Sequence, residues 1–159
     1  MIELQINGAQ IERAKQHYEF TELKNSITKG QNNIFGALGE IVFYDYYKNQ
    51  GKDINHVGSK DYDYKLEGHK IEIKTKKVFQ LDTINVKATV AAYNTRQDCD
   101  FYFFIQVSSD MQKAWLLGYM PKIEFYQKAT FNKIGEKDTN GFEFKADCYN
   151  LKVNDLKRF

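Results

Sequence analysis

A chain of 159 residues, 42% hydrophobic and 15% aromatic, is long enough to bury a core of its own, which excludes a disordered tail and points to one domain over residues 1–159. A formal net charge of +2 excludes a protein held on nucleic acid by bulk charge, so any such binding has to come from a local basic surface. No apolar run approaches the roughly 20 residues that span a bilayer, and the opening MIELQINGAQIERAKQ lacks the basic-then-apolar layout of a signal peptide. Cys99 and Cys148 are too few and too far apart for a disulfide framework, and they form no CxxC pair for zinc. The expectation is a reduced, cytoplasmic protein with no membrane segment and no organic cofactor.

In chain order, Ile11, Ala14, His17 or Tyr18, and Leu23 fall near helical spacing, which predicts a helix over about 11–29. KGQNN follows as a loop. A stronger helix is predicted over 34–49, with Ile34, Phe35, Leu38, Ile41, Val42 and Tyr46 on one face and Gly51 as its stop signal. Strands are expected over 62–66 and 70–76, joined by the turn Glu67-Gly68-His69. Residues 86–94 are assigned a short helix, against the preference of their β-branched side chains. The run DFYFFIQV, 100–107, reads as a strand covered on both faces, with 114–120 paired beside it. Pro121 suits the first turn of a helix over 122–128. A polar turn region over 135–141, a strand over 142–150 and a short terminal segment over 151–156 complete an α/β domain with a mixed sheet.

The chemistry concentrates in DYDYKLEGHKIEIKTKK and in the Glu40 that ends GALGE. Side chains alternate along a strand, so Glu72 and Lys74 share one face while Ile71 and Ile73 share the other. Asp63 lies on the partner strand of the hairpin. Asp61 has the same parity, and periodicity alone does not separate the two. On its helix, Glu40 has Gly36, Phe43, Tyr44 and Tyr47 as neighbours, an environment in which a carboxylate is costly unless paired or metal-bound. Gly36 and Gly39 would let that helix approach a sheet closely. Two carboxylates, water and a substrate phosphate satisfy the octahedral oxygen shell of Mg²⁺. A lysine beside them is suited to orienting the attacking water or balancing charge on a pentavalent phosphate.

GALGE on a helix, then DYD, then IEIK on a strand resembles the PD-(D/E)XK nuclease superfamily. The resemblance covers roughly residues 34–77 and extends more weakly through DCDFYFFIQV, AWLLGYM and YNLKVNDL. It implies a restriction-endonuclease-like three-layer fold, a central mixed β-sheet flanked by helices. It also implies a Mg²⁺-dependent DNA endonuclease, with Mn²⁺ able to substitute, in which Glu40, Asp63, Glu72 and Lys74 are catalytic. The metal would be held by Asp63, Glu72, the backbone carbonyl of Ile73 and, in support, Glu40. The chain departs from the family by lacking the proline that precedes its aspartate. A catalytically silent nucleic-acid-binding or assembly module on the same fold, or a ribonuclease, is the alternative.

Candidate nucleic-acid contacts are Lys76, which shares parity with Glu72 and Lys74, then Lys77, Asn94 and Arg96. Gln31, Asn32 and Asn33 precede the Glu40 helix, where amides and a helix N-terminus suit a phosphate. Tyrosines such as Tyr44, Tyr46, Tyr62, Tyr64 and Tyr93 are candidates for base stacking or for core packing. Only Arg13, Arg96 and Arg158 are arginines, which disfavours dense base reading. Cutting both strands of a duplex takes two active sites, so a homodimer is one assembly compatible with the chain.

Overall fold

The computed structural model describes residues 1–20 and 33–159, with side chains over 1–16 and 34–159. Its centre is the strand predicted to be covered on both faces, with the partner predicted beside it. β6 (Phe101–Ser108) sends Phe103, Ile105 and Val107 into one hydrophobic cluster and Tyr102 and Phe104 into another on the opposite face. β7 (Lys113–Pro121) repeats this division, with Ala114 and Leu116 on the first side and Trp115 and Leu117 on the second. A strand apolar at nearly every position is stable only between two layers, and that is where both lie.

Six strands make the main sheet. β1 (Ile2–Gln5) forms one edge beside β7, followed by β6, β4 (His69–Val78), β3 (Tyr64–Leu66) and the opposite edge β2 (Ile54–His56). β4 and β6 run parallel, with Glu72 opposite Tyr102 and Lys74 opposite Phe104, while all other neighbours run antiparallel. The fold is therefore α/β with a mixed sheet. The β3–β4 turn is tight, because Leu66 pairs with His69 and leaves only Glu67 and Gly68 between them, both at positive φ.

One face of the sheet carries α1 (Gly8–Phe20) and α2 (Asn33–Asn49), the latter burying Phe35, Ala37, Leu38, Val42 and Phe43. The other face carries α3 (Lys122–Lys128), capped from Pro121, and a second sheet of three strands. In that sheet β9 (Cys148–Leu151) lies between β5 (Ala88–Ala91) and β8 (Thr130–Asn132). Three α-helices are thus found among the described residues, and none is long and apolar enough to cross a membrane.

Several expectations change. The helix expected over 86–94 is the strand β5 followed by a 3₁₀ turn at Ala92–Arg96. Ala88 and Val90 are buried on alternate positions, so the β-branched preference prevails once β9 is there to pair with. The strand expected over 142–150 contracts to Cys148–Leu151, and β1, β2 and β8 were not anticipated. These three are short segments of three or four residues whose pattern acquires meaning only beside a partner. The far half of the first predicted helix, and the loop residues Gln31 and Asn32, lie outside the described residues.

Candidate active site

β4 delivers the predicted pair. Glu72 and Lys74 emerge on one face of the strand, and Lys74 Nζ donates a hydrogen bond to Glu72 Oε1 at 2.6 Å. Both side chains are mostly shielded from solvent, at 10% and 17% exposure, so this is a pair inside the protein and not a wet-face contact. The Lys74 ammonium also stands 5.9 Å from the Tyr102 ring centre across the parallel register.

Asp63 precedes β3 and turns its carboxylate across the hairpin, where Oδ2 accepts the backbone N–H of Ile73 at 2.7 Å. The Asp63 backbone N–H in turn donates to the Ile71 carbonyl. The chain therefore fixes Asp63 beside the peptide that separates Glu72 from Lys74. Asp61 is exposed and outside this contact, so of the two aspartates with the same parity Asp63 is the one that meets β4.

Glu40 reaches the same place from α2. The helix comes very near β4 at Gly39, where a Cβ atom would sit 2.1 Å from Thr75 Oγ1. Only a glycine permits that approach without displacing the threonine. The next residue, Glu40, has its carboxyl pushed up to about 7, first by burial and then by the negative charge of Glu72, with Lys74 pulling the other way. Burial also drives the Asp63 carboxyl well above its ordinary value, with Glu40 and Glu72 adding to the effect and the Ile73 N–H and Lys74 opposing it. Three carboxylates thus share one poorly solvated region with the Lys74 ammonium.

Gln97, which periodicity did not single out, completes the group. Its Nε2 donates to Glu72 Oε1 at 2.8 Å, and its Oε1 accepts from Lys74 Nζ at 3.3 Å. The same amide reaches the Lys60 carbonyl at 3.3 Å, and the Gln97 carbonyl accepts from Lys122 Nζ. Gln97 therefore holds both members of the Glu72–Lys74 pair in one orientation. It lies 25 residues from Glu72, just beyond the 3₁₀ turn, so no local spacing rule could have paired the two.

Of the candidate nucleic-acid contacts, Lys76 points into the protein. Its Nζ donates to Thr89 Oγ1 at 2.7 Å beneath the second sheet, and burial pulls the ammonium down to about 8. Parity put Lys76 on the face of Glu72 and Lys74, but β5 and β9 cover that end of the strand. Lys77 is exposed on the opposite face, with Nζ 4.8 Å from the Phe35 ring centre. Asn94 is half-buried within the 3₁₀ turn and Arg96 exposed at its end, close in sequence to Gln97. Asn33 begins α2.

No protein-family model and no curated protein sequence matches this chain.

The donor set is all oxygen, which fits Mg²⁺ or Mn²⁺ and not a zinc centre. Among the described residues, however, no three His, Cys, Asp or Glu side chains stand as a ready-made coordination group. Glu72 Oε1 is occupied by Lys74 and Gln97, and Asp63 Oδ2 by the Ile73 N–H. The fit therefore rests on two carboxylates supplemented by a backbone carbonyl, water and substrate.

Proposed function

We propose that this chain is a metal-dependent phosphodiesterase acting on DNA, an endonuclease of the PD-(D/E)XK type on a restriction-endonuclease-like fold. One observation carries this reading: Glu40 from α2, Asp63 from the start of the hairpin and Glu72 from β4 converge beside the Lys74 ammonium in a poorly solvated place, where burial and their mutual repulsion raise the Glu40 and Asp63 carboxyls. Buried carboxyl groups that shift one another's titration in this way are characteristic of functional sites.

Asp63 and Glu72 would hold the metal, with the Ile73 carbonyl completing the shell and Glu40 supporting it from α2. The ion, when bound, supplies the positive charge that polarises a phosphoryl group and makes water a nucleophile at neutral pH. Lys74 orients the attacking water and balances charge on the phosphate as it becomes pentavalent. Gln97 keeps the Lys74 ammonium and the Glu72 carboxylate in register while this happens.

A second reading, a silent nucleic-acid-binding or assembly module, draws on the direct Glu72–Lys74 contact, which satisfies the carboxylate without a metal. Cleavage distinguishes the two. Purified protein and Glu72→Ala would be incubated with supercoiled, linear, branched and single-stranded DNA in Mg²⁺, Mn²⁺ or EDTA. Metal-dependent cutting that Glu72→Ala abolishes supports the nuclease. No cutting, together with no Mn²⁺ binding by calorimetry, favours the silent module.

A further inference from the structure

A cavity of about 350 Å³ opens between α1, α2 and the β2–β3 strands. Glu40 stands in its wall, so the cavity adjoins the acidic cluster through the one residue they share. The remainder of the lining has a different character. The half-buried Tyr44 ring stacks on the core residue Tyr64, with centres 5.9 Å apart and planes inclined by 27°, and the His56 ring meets Tyr64 edge-on at 5.3 Å. Lys48 adds an exposed ammonium from the last turn of α2, and Arg13 lines the α1 side while ion-paired to Asp45. An aromatic ring on a rigid base, a cation and an imidazole beside the proposed phosphate-cleaving centre match the parts of a nucleotide: a flat base, a sugar and an anionic link.

We propose that this cavity is a nucleotide subsite that takes one unpaired nucleotide of a DNA strand whose neighbouring phosphate lies at Asp63 and Glu72. The inference rests on the nuclease reading and narrows its substrate to DNA with a single-stranded portion. The volume falls at the low end of small-ligand pockets, enough for one nucleoside and too small for a stacked base pair. A base reaches such a pocket only when it is already unpaired or is extruded from the helix, and extrusion costs least at ends, flaps and single strands. Base–aromatic stacking tolerates any sequence, so the subsite selects strand state and not base identity.

The test compares kcat/KM on a single strand, a duplex with a single-stranded tail and a blunt duplex, in Mn²⁺, with Mn²⁺ affinity measured in parallel. The wild type is expected to cut the first two at least about tenfold better than the blunt duplex. Tyr44→Ala and Lys48→Glu are each expected to lose about tenfold of that efficiency, as removal of a stacking ring or a phosphate contact does. Tyr44→Phe, which keeps the ring, should retain it, and Mn²⁺ affinity should stay unchanged in all three. Lys48 is exposed, so its variant does not put folding in question. A preference for blunt duplex, or variants that cut every DNA as the wild type does, overturns the subsite and leaves the nuclease standing. A wild type that neither cuts nor binds Mn²⁺ overturns the nuclease reading, and the subsite with it.

Discussion

Gly39 and Thr75 touch where α2 crosses β4: a Cβ on the glycine would fall 2.1 Å from the threonine hydroxyl oxygen. This contact sets how near Glu40 comes to Asp63 and Glu72. Gly39→Ala should therefore destabilise the fold by about 1–3 kcal/mol through overpacking and weaken metal binding by pushing Glu40 outward. Among the described residues Thr75 Oγ1 is buried without a hydrogen-bond partner, so Thr75→Ala removes the two nearest obstructing atoms without breaking a bond and leaves its Cβ at 3.0 Å. Combined with Gly39→Ala it should recover most of the lost stability. A denaturation double-mutant cycle checks this, and strictly additive losses would refute the contact's role.

Removing Lys74 acts on chemistry and stability together. Lys74→Ala should lower cleavage by about a hundredfold or more through loss of water and charge positioning. Glu72 then keeps Gln97 as a neutral partner but has lost its cation, so the melting temperature should also fall, by the equivalent of up to about 3 kcal/mol. Circular dichroism establishes that the fold persists. Full activity in this variant would remove the proposed role.

The pH dependence of the metal-free protein follows from Glu40 and Asp63. Burial and mutual repulsion raise the Glu40 carboxyl from an ordinary 4.5 to about 7, so between these values the folded state holds a proton that the unfolded state has released. Stability contributed by this group therefore falls as pH rises from about 4.5 through 7, and Asp63 acts in the same direction. Mn²⁺ should raise the melting temperature more at pH 8 than at pH 5.5, because it binds the ionised cluster. Glu40→Gln should stabilise the metal-free protein at pH 8 while reducing cleavage. Thermal shift measurements across pH decide the matter, and a Mn²⁺ effect independent of pH would contradict it.

Lys76 offers the opposite sign. Its ammonium is drawn from an ordinary 10.5 to about 8 by burial, so between these values the unfolded state binds the extra proton. Stability contributed by this residue rises as pH climbs from about 8 to 10.5. Lys76→Met should remove that rise and, having traded a buried cation for an apolar side chain, leave stability at pH 7 unchanged or higher. Cleavage and its salt dependence should be unaltered. A reduced salt slope would instead return Lys76 to the phosphate-binding surface.

The sequence by itself determined the local elements that carry the cluster. The stripe from Phe35 to Tyr46 specified α2, the alternation in IEIKTK specified β4 and the sharing of a face by Glu72 and Lys74, and the unbroken run after Asp100 specified a strand buried on both sides. These are short-range consequences of helix and strand periods. The tertiary structure alone decided which of Asp61 and Asp63 joins the cluster, because both have the same parity and only the hydrogen bond to Ile73 tells them apart. It alone recruited Gln97 across 25 residues and buried Lys76 under a second sheet. It also turned residues 88–91 into a strand, since β5 gains its hydrogen bonds only from β9. Period fixes the face a side chain leaves from, whereas what covers that face depends on segments distant in the chain, whose approach no local pattern encodes.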